Sequence, residues 1–216
     1  MKEIIVIGCG RFGTSVAKTL NDLGHDVMIV DNDAETVEEL SEFVTHAIQI
    51  DATDESAYNA LGLKNFDVAV IAIGSNLEAS IMATLMAKEK GVPFVIAKAK
   101  NETHAMLLKK IGADNIVFPE RDMGIRIANN LTTPNILEAI RLSSEYSIIE
   151  TVALEEWVDN TIEDLKFSKV HKVNIIAIRS GEEIYISPPP DSVIKKGDIL
   201  VVLGDNKSLK KFNGKE

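Results

Sequence analysis

The hexapeptide GCGRFG, residues 8–13, has the spacing of a phosphate-cradling loop. Gly8, Gly10 and Gly13 permit a tight turn and bring backbone N–H groups close to a pyrophosphate at a helix N-terminus. Such a loop needs an acidic partner at the end of the following strand. Asp31 stands there, 21 residues after Gly10 (31 − 10). Its carboxylate suits the ribose hydroxyls of an adenosine and repels a 2′-phosphate, so NADP is disfavoured. Asp51 ends the third apolar run, and Gly74 follows the fourth in AIGSN, a second flexible lip over the same place. Arg11 lies beside the phosphates, where the loop itself needs no guanidinium. It is either a solvated surface charge or a partner for a third phosphate or an adjoining subunit's ligand. Glu120 is either an inert exposed carboxylate or, beside a triphosphate, part of the hold on a divalent ion. Cys9, the sole cysteine, reads as a small filler between glycines rather than a redox centre.

These residues require a sheet with its loops at one end. EIIVI (3–7) is a short apolar run ending in glycine, the pattern of a buried parallel strand. Phe12, Val16, Leu20 and Leu23 follow at helical spacing until Gly24. The alternation repeats through HDVMIVD, THAIQID, FDVAVIAIG, PFVIAKA and DNIVFP, with helices between them. Met82 and Met86 share a helical face with Ile81 and Leu85 and read as core. The expected class is α/β, a doubly wound parallel sheet, because parallel neighbours need helical crossovers. After Pro119 the rhythm breaks. ERDMGIRIANNLTTPNILEAIRL reads as two helical pieces interrupted at Pro134. SIIETVAL, KVNIIAIRSGEEIYIS and DILVVLG then read as strands of a second, smaller α+β domain, with a hairpin at SGEE and a loop at Pro188–Pro190. The expected domains are 1–120, a helical crossover and dimerisation segment at 121–142, and 143–216.

Composition bounds the function. A net charge of −10 argues against a nucleic-acid surface. One cysteine rules out a disulfide framework or a zinc knuckle. The N-terminus shows no secretory pattern, and the apolar runs are strand-sized rather than the roughly 20 residues of a membrane span, so a cytoplasmic protein is expected. No YxxxK or His–carboxylate constellation of a dehydrogenase can be assembled. The nucleotide is therefore expected to be sensed rather than consumed. An NAD-dependent oxidoreductase or redox sensor with a minimal second domain is the alternative, and a generic oligomeric nucleotide-binding scaffold is a third.

GCGRFGTSVAKTL, VDND, DATDE, AIGSNLEASI, KAKNETH and GADNIVFPERDMG, in this order, resemble the RCK family, regulators of potassium conductance. The likeness is greatest to its stand-alone ring subunits, the cytosolic regulators of Ktr and Trk potassium uptake. SIIETVAL through DILVVLG resembles the family's C-terminal TrkA-C domain. The resemblance implies a Rossmann-like RCK N-terminal domain and an octameric ring of four dimers. That ring would dock peripherally on a membrane-embedded potassium-translocating subunit, with ATP/ADP exchange reshaping it and NAD(H) able to occupy the same cleft. By the same resemblance Gly8, Gly10 and Gly13 form the loop, with Phe12 beside it. Asp31 and Asn32 take the ribose, and Asp51, Ala52 and Thr53 line the adenosine pocket opposite Ile73 and Gly74. Lys98 and His104 lie near the phosphates, Arg11 reaches a γ-phosphate across the dimer, and Glu120 ligates a divalent ion such as Mg²⁺. The family's C-terminal domain can hold cyclic di-AMP between two chains, at positions matching Ile162, Asn174, Ile175 and Pro190. Ser168 replaces an arginine of close relatives and Lys172 a usual glycine, two departures that count against this ligand.

Overall fold

The computed structural model describes residues 1–132 and 136–213. The chain divides into two compact units, Met1–Asp122 and Met123–Glu216.

In the first unit strands and helices alternate: β1 (Glu3–Ile7), α1 (Arg11–Asp22), β2 (Asp26–Asp31), α2 (Ala34–Ser41), β3 (His46–Gln49), α3 (Ala57–Ala60), β4 (Val68–Ile71), α4 (Leu77–Glu89), β5 (Phe94–Lys98), α5 (Glu102–Lys110) and β6 (Asn115–Val117). The parallel sheet runs in the order β3-β2-β1-β4-β5-β6. β1 is therefore central, paired with β2 on one side and β4 on the other. Its sequence explains its place, since a strand covered on both faces needs apolar residues in succession rather than in alternation. Ile5 and Ile7 point into one core with Ala83, Met86, Ala87 and Leu108 from α4 and α5. Ile4 and Val6 point into the other, with Ala17 and Leu40 from α1 and α2. Met86 is buried in this core and Met82, half-buried, packs against it, as expected. Asp114, just before β6, pins this layer from outside: its carboxylate accepts from the Val95 N–H at 2.7 Å and pairs with Lys88 at 2.9 Å.

α6 (Pro119–Thr132) follows β6 and reaches the first threonine of TTP; Thr133 and Pro134 lie outside the described residues. The second helical piece expected beyond it is a strand instead. β7 (Ile136–Arg141) pairs antiparallel with β8 (Tyr146–Val152), and a tight turn closes the hairpin where the Leu142 and Ser143 N–H groups donate to Tyr146. Six residues beside a ready partner gain more backbone hydrogen bonds as a hairpin than as an isolated short helix. Ile136 joins the core of the second unit, while Ile140 stays exposed.

The second unit continues with α7 (Ile162–Leu165), α8 (Phe167–Val170), β9 (Val173–Ser180), β10 (Glu183–Ile186), β11 (Ile199–Asp205) and α9 (Asn206–Leu209). Its antiparallel sheet has the order β10-β9-β11-β8-β7. The SGEE hairpin turns on Gly181 at φ 62°. Trp157, buried against Phe167 and Phe212 with ring centroids 5.1 and 5.2 Å apart, anchors the core.

Lys172 adopts φ 57°, the left-handed region that costs a side chain about 1–2 kcal/mol. Gly there relieves that strain at some cost in unfolded-state entropy. Lys172→Gly is expected to raise stability by about 0.5–1 kcal/mol, read as a higher urea midpoint at unchanged slope. A lowered midpoint would mean that the lysine compensates its backbone with contacts of its own.

Candidate functional site

A cleft of about 810 Å³ lies at the carboxyl ends of the parallel strands, where the strand order reverses between β1 and β4. This is the crevice in which open α/β sheets bind ligands. Every strand of the sheet contributes to its wall: Gly8 to Gly10 after β1, Asp31 to Asp33 at β2, Ile50 to Ala52 after β3, Ala72 to Asn76 after β4, Lys98 and Lys100 at β5, and Glu120 after β6. The volume lies within the range of small-molecule and cofactor pockets.

The glycine loop forms one wall. Gly8 turns at φ 94° and donates its N–H to Val30 at 2.8 Å, tying the loop to β2. A Cβ on Gly13 would lie 1.9 Å from the Gly8 carbonyl oxygen, so this glycine is what lets α1 start against the end of β1. Helices α2, α4 and α5 each carry a side-chain cap, from Asp33, Asn76 and Asn101. α1 has none: Gly10 occupies its cap position, and no acid stands in its first turn. Its leading N–H groups are thus left to an external anion.

The β2–β3 end of the cleft is acidic. Asp31 accepts from the Cys9 N–H at 2.5 Å through one oxygen and from the Asp33 N–H at 3.0 Å through the other. Each oxygen retains a lone pair, so the residue can brace the loop and still receive ribose hydroxyls. Asp51 accepts from the Thr53 N–H and hydroxyl at 2.9 and 2.8 Å. Those two bonds hold its carboxyl below the usual carboxylate range. Tyr58, fully buried, donates its hydroxyl to the Ala52 carbonyl at 2.8 Å and fixes the same loop from beneath. Sequence patterning did not point to Tyr58; its signal was one polar-tipped aromatic in an otherwise small-residue stretch.

The β5 end is basic. The Lys98 ammonium is 2.6 Å from Glu120 and 6.0 Å from the Phe12 ring centroid. Lys98, with a smaller pull from the Arg11 guanidinium, holds the Glu120 carboxyl below its ordinary range. Arg11 is exposed at the head of α1. Lys100 is a lining residue that the sequence reading did not single out. His104 lies off the lining and is buried; its Nδ1 accepts from the Lys100 N–H at 3.3 Å, so it acts on the cleft through that backbone. Desolvation lowers its pKa and keeps the imidazole neutral.

Of the expected residues, Gly8, Gly10, Asp31, Asn32, Asp51, Ala52, Ile73, Gly74, Lys98 and Glu120 line the cleft. Arg11, Phe12, Gly13, Thr53 and His104 stand behind or beside it. Cys9, Asp33, Thr36, Ser75, Asn76 and Lys100 also line it without having been singled out as ligand contacts, with Ile7, Val30, Ile50, Ala72 and Ala79 as its apolar floor.

Among the described residues no group of three or more His, Cys, Asp or Glu side chains could hold a metal ion. Glu120 is the one expected metal-ligating carboxylate here, and it is engaged by Lys98, so these residues do not by themselves make a divalent-ion site. The Cys9 thiol is buried, and desolvation pushes its pKa up to about 12, which leaves it a filler rather than a redox group.

In the second unit, Ile162 and Ile175 pack on one core, and the Glu163 N–H donates to the Pro190 carbonyl at 2.8 Å, drawing α7 to the proline loop. Asn174 is exposed on β9, and Ser168 is exposed on α8.

Residues 4–119 match the TrkA-N domain and residues 148–214 the TrkA-C domain. Ktr system potassium uptake protein C of Bacillus subtilis (strain 168) is 45% identical over 98% of this chain and 96% of its own length. Ktr system potassium uptake protein A of Vibrio alginolyticus is 40% identical over 96% of this chain and 94% of its own. Among solved structures the GsuK RCK domain superposes with a TM-score of 0.54 at 23% identity. That match covers 98% of this chain and 46% of the GsuK chain, so this chain spans about half of it. The TrkA-N domain of inner membrane protein ybaL from Escherichia coli has a TM-score of 0.54 at 20% identity, over 60% of this chain and 96% of its own. These two likenesses concern the fold alone. A TrkA-N domain over more than half of its length, a TrkA-C domain after it, and near-full-length identity to both relatives together place the chain in the family of the Ktr system potassium uptake proteins.

Proposed function

We propose that this chain is a nucleotide-sensing regulatory subunit of a potassium uptake system, binding ATP and ADP in the strand-end cleft and controlling flux through a membrane partner. The observation that carries the reading is the 45% identity, over nearly the whole of both chains, to a Ktr system potassium uptake protein. The polarity of the cleft supports it: carboxylates at the adenosine end, and lysines with an uncapped helix at the phosphate end, fit a ligand with a ribose diol at one end and phosphates at the other. NAD(H) has the same polarity and is a second ligand for the same cleft. In the second unit cyclic di-AMP is a ligand to test rather than to assume, because Ser168 supplies no guanidinium.

Self-association belongs to this reading. Met123, Ile125, Ile127 and Leu131 are each more than half exposed on α6, which supports a dimerising segment at 121–142 within a dimer-based, octameric ring. Among the described residues no helix is long and apolar enough to cross a membrane; on this reading the chain meets its membrane partner at the cytoplasmic face.

The test is reconstitution. With the potassium-translocating subunit in vesicles, ATP is expected to change the flux only when this chain is present; flux indifferent to the chain would refute the reading. Arg11 supplies a sharper arm. Its exposed guanidinium heads α1 beside the phosphate end, where a γ-phosphate distinguishes ATP from ADP. Arg11→Ala should therefore lower the ATP-over-ADP affinity ratio by about tenfold or more, the loss of one charge-assisted contact, while ADP binding stays nearly intact. Arg11→Lys should restore part of it, lacking the planar fork. An unchanged ratio would leave Arg11 a surface charge.

A further inference from the structure

The Lys98–Glu120 pair occupies the place where the phosphate end of the cleft would be neutralised. Lys98 ends β5, and its side chain is only 15% exposed. Its stem crosses the bare backbone after β4: a Cβ on Gly74 would lie 3.2 Å from Lys98 Cε and 3.3 Å from Nζ. The ammonium is thus led across the cleft to Glu120 Oε1, 2.6 Å away, in the first turn of α6. Glu120 is 70% exposed, so water readily takes over the carboxylate when the lysine leaves. The mostly buried lysine, by contrast, needs an anion beside its ammonium. A phosphate entering beside Gly74 offers that anion, and it has to compete with the carboxylate already there.

We infer that Glu120 is an intrinsic competitor of the ligand's phosphates for Lys98, setting a threshold affinity for nucleoside polyphosphates while leaving recognition of the nucleoside untouched. The inference rests on the nucleotide reading of the cleft. Its physical basis is that an interaction broken on binding is subtracted from the affinity, and one that is absent is not. It follows that phosphate entry detaches the first turn of α6 from the end of β5. The pair is a link between ligand charge and that helix, and Lys98 is a specificity-determining residue rather than a passive wall.

The experiment is a double-mutant cycle by calorimetric titration in EDTA, so that no divalent ion takes part. Adenosine, ADP and ATP are titrated into the full chain, Glu120→Gln, Lys98→Met and the double variant. Glu120→Gln is expected to tighten ADP and ATP about fivefold and leave adenosine unchanged; Lys98→Met is expected to weaken ADP and ATP and leave adenosine unchanged. In the Lys98→Met background, Glu120→Gln should give little further gain. A gain of the same size with or without Lys98 would make Glu120 a through-space charge only and overturn the proposal, as would no gain or a loss in the Glu120→Gln single variant. Unchanged adenosine binding certifies that each variant keeps an intact cleft. If the parent chain binds none of the three compounds, the nucleotide reading itself fails, a result distinct from a failed cycle on a protein that binds them.

Discussion

Gly13→Ala is expected to abolish nucleotide binding and to destabilise the first unit on the order of 3 kcal/mol or more, the upper end for an overpacked site. The added Cβ would sit 1.9 Å from the Gly8 carbonyl oxygen and 3.0 Å from its carbonyl carbon, both backbone atoms, with Ala72 Cβ at 3.1 Å on another side. No rotamer change relieves a clash between a Cβ and a carbonyl. Either α1 withdraws from the end of β1 or the Gly8 turn opens, and each movement takes away the N–H groups aimed at the phosphates. Gly10 supplies the control. A Cβ there meets nothing within 4 Å, and its φ of −65° suits any residue. Gly10→Ala should therefore fold with the parent's stability and still lose affinity for ATP and ADP, because the space it fills lies on the phosphate side of the loop. Urea unfolding followed alongside ATP titration separates the two. Parent-like stability in Gly13→Ala would contradict the close approach of α1 to β1. Parent-like binding in Gly10→Ala would move the phosphates away from this loop.

That contrast also shows how far the sequence could be read. The spacing of GCGRFG announced a phosphate loop, but it gave all three glycines one meaning. The structure separates them: Gly8 makes a left-handed turn, Gly13 allows helix-to-strand contact, and Gly10 faces open space where a Cβ meets nothing within 4 Å. The parallel sheet was legible because a strand buried on both faces leaves an unmistakable run such as EIIVI, and four of the six runs, ending at Ile7, Asp31, Asp51 and Gly74, end in a residue that lines the cleft. NILEAIRL was not legible. Ile136, Leu137 and Ile140 satisfy a helical spacing as well as a strand, and only the long-range pairing of β7 with β8 decides between them. Residues acting from behind were invisible to patterning for a related reason: Tyr58 was missed, and His104 came from the family resemblance alone. Tyr58 and His104 reach the cleft through a backbone carbonyl and a backbone N–H, and such bonds carry no signature in residue type. Lys100 could have been found only by proximity, since it stands two residues after Lys98, just past the end of β5.

Asp31→Ala is expected to cost about 1.5–3 kcal/mol in binding, or about 10- to 150-fold in affinity, for ATP, ADP and NADH alike. All three ligands present the same adenosine ribose, and the carboxylate sits at the end of β2, where that ribose would lie. The structure adds a second reason for a large effect. Asp31 also accepts from the Cys9 N–H at 2.5 Å and the Asp33 N–H at 3.0 Å, so its removal leaves two backbone donors without their acceptor and loosens the loop that carries the phosphates. The two contributions can be told apart. Asp31→Asn keeps a side chain of the same shape and one acceptor oxygen, enough to hold one of the two N–H groups, but it lacks the charge that strengthens a bond to a ribose hydroxyl. If loop bracing dominates, Asp31→Asn recovers most of the affinity lost in Asp31→Ala; if ribose recognition dominates, it recovers little. In either case the ATP-to-ADP affinity ratio should stay at the parent value, because neither role touches the γ-phosphate. A ratio that moved with Asp31 and stood still with Arg11 would reverse the polarity assigned to the cleft, placing the phosphates at the β2 end.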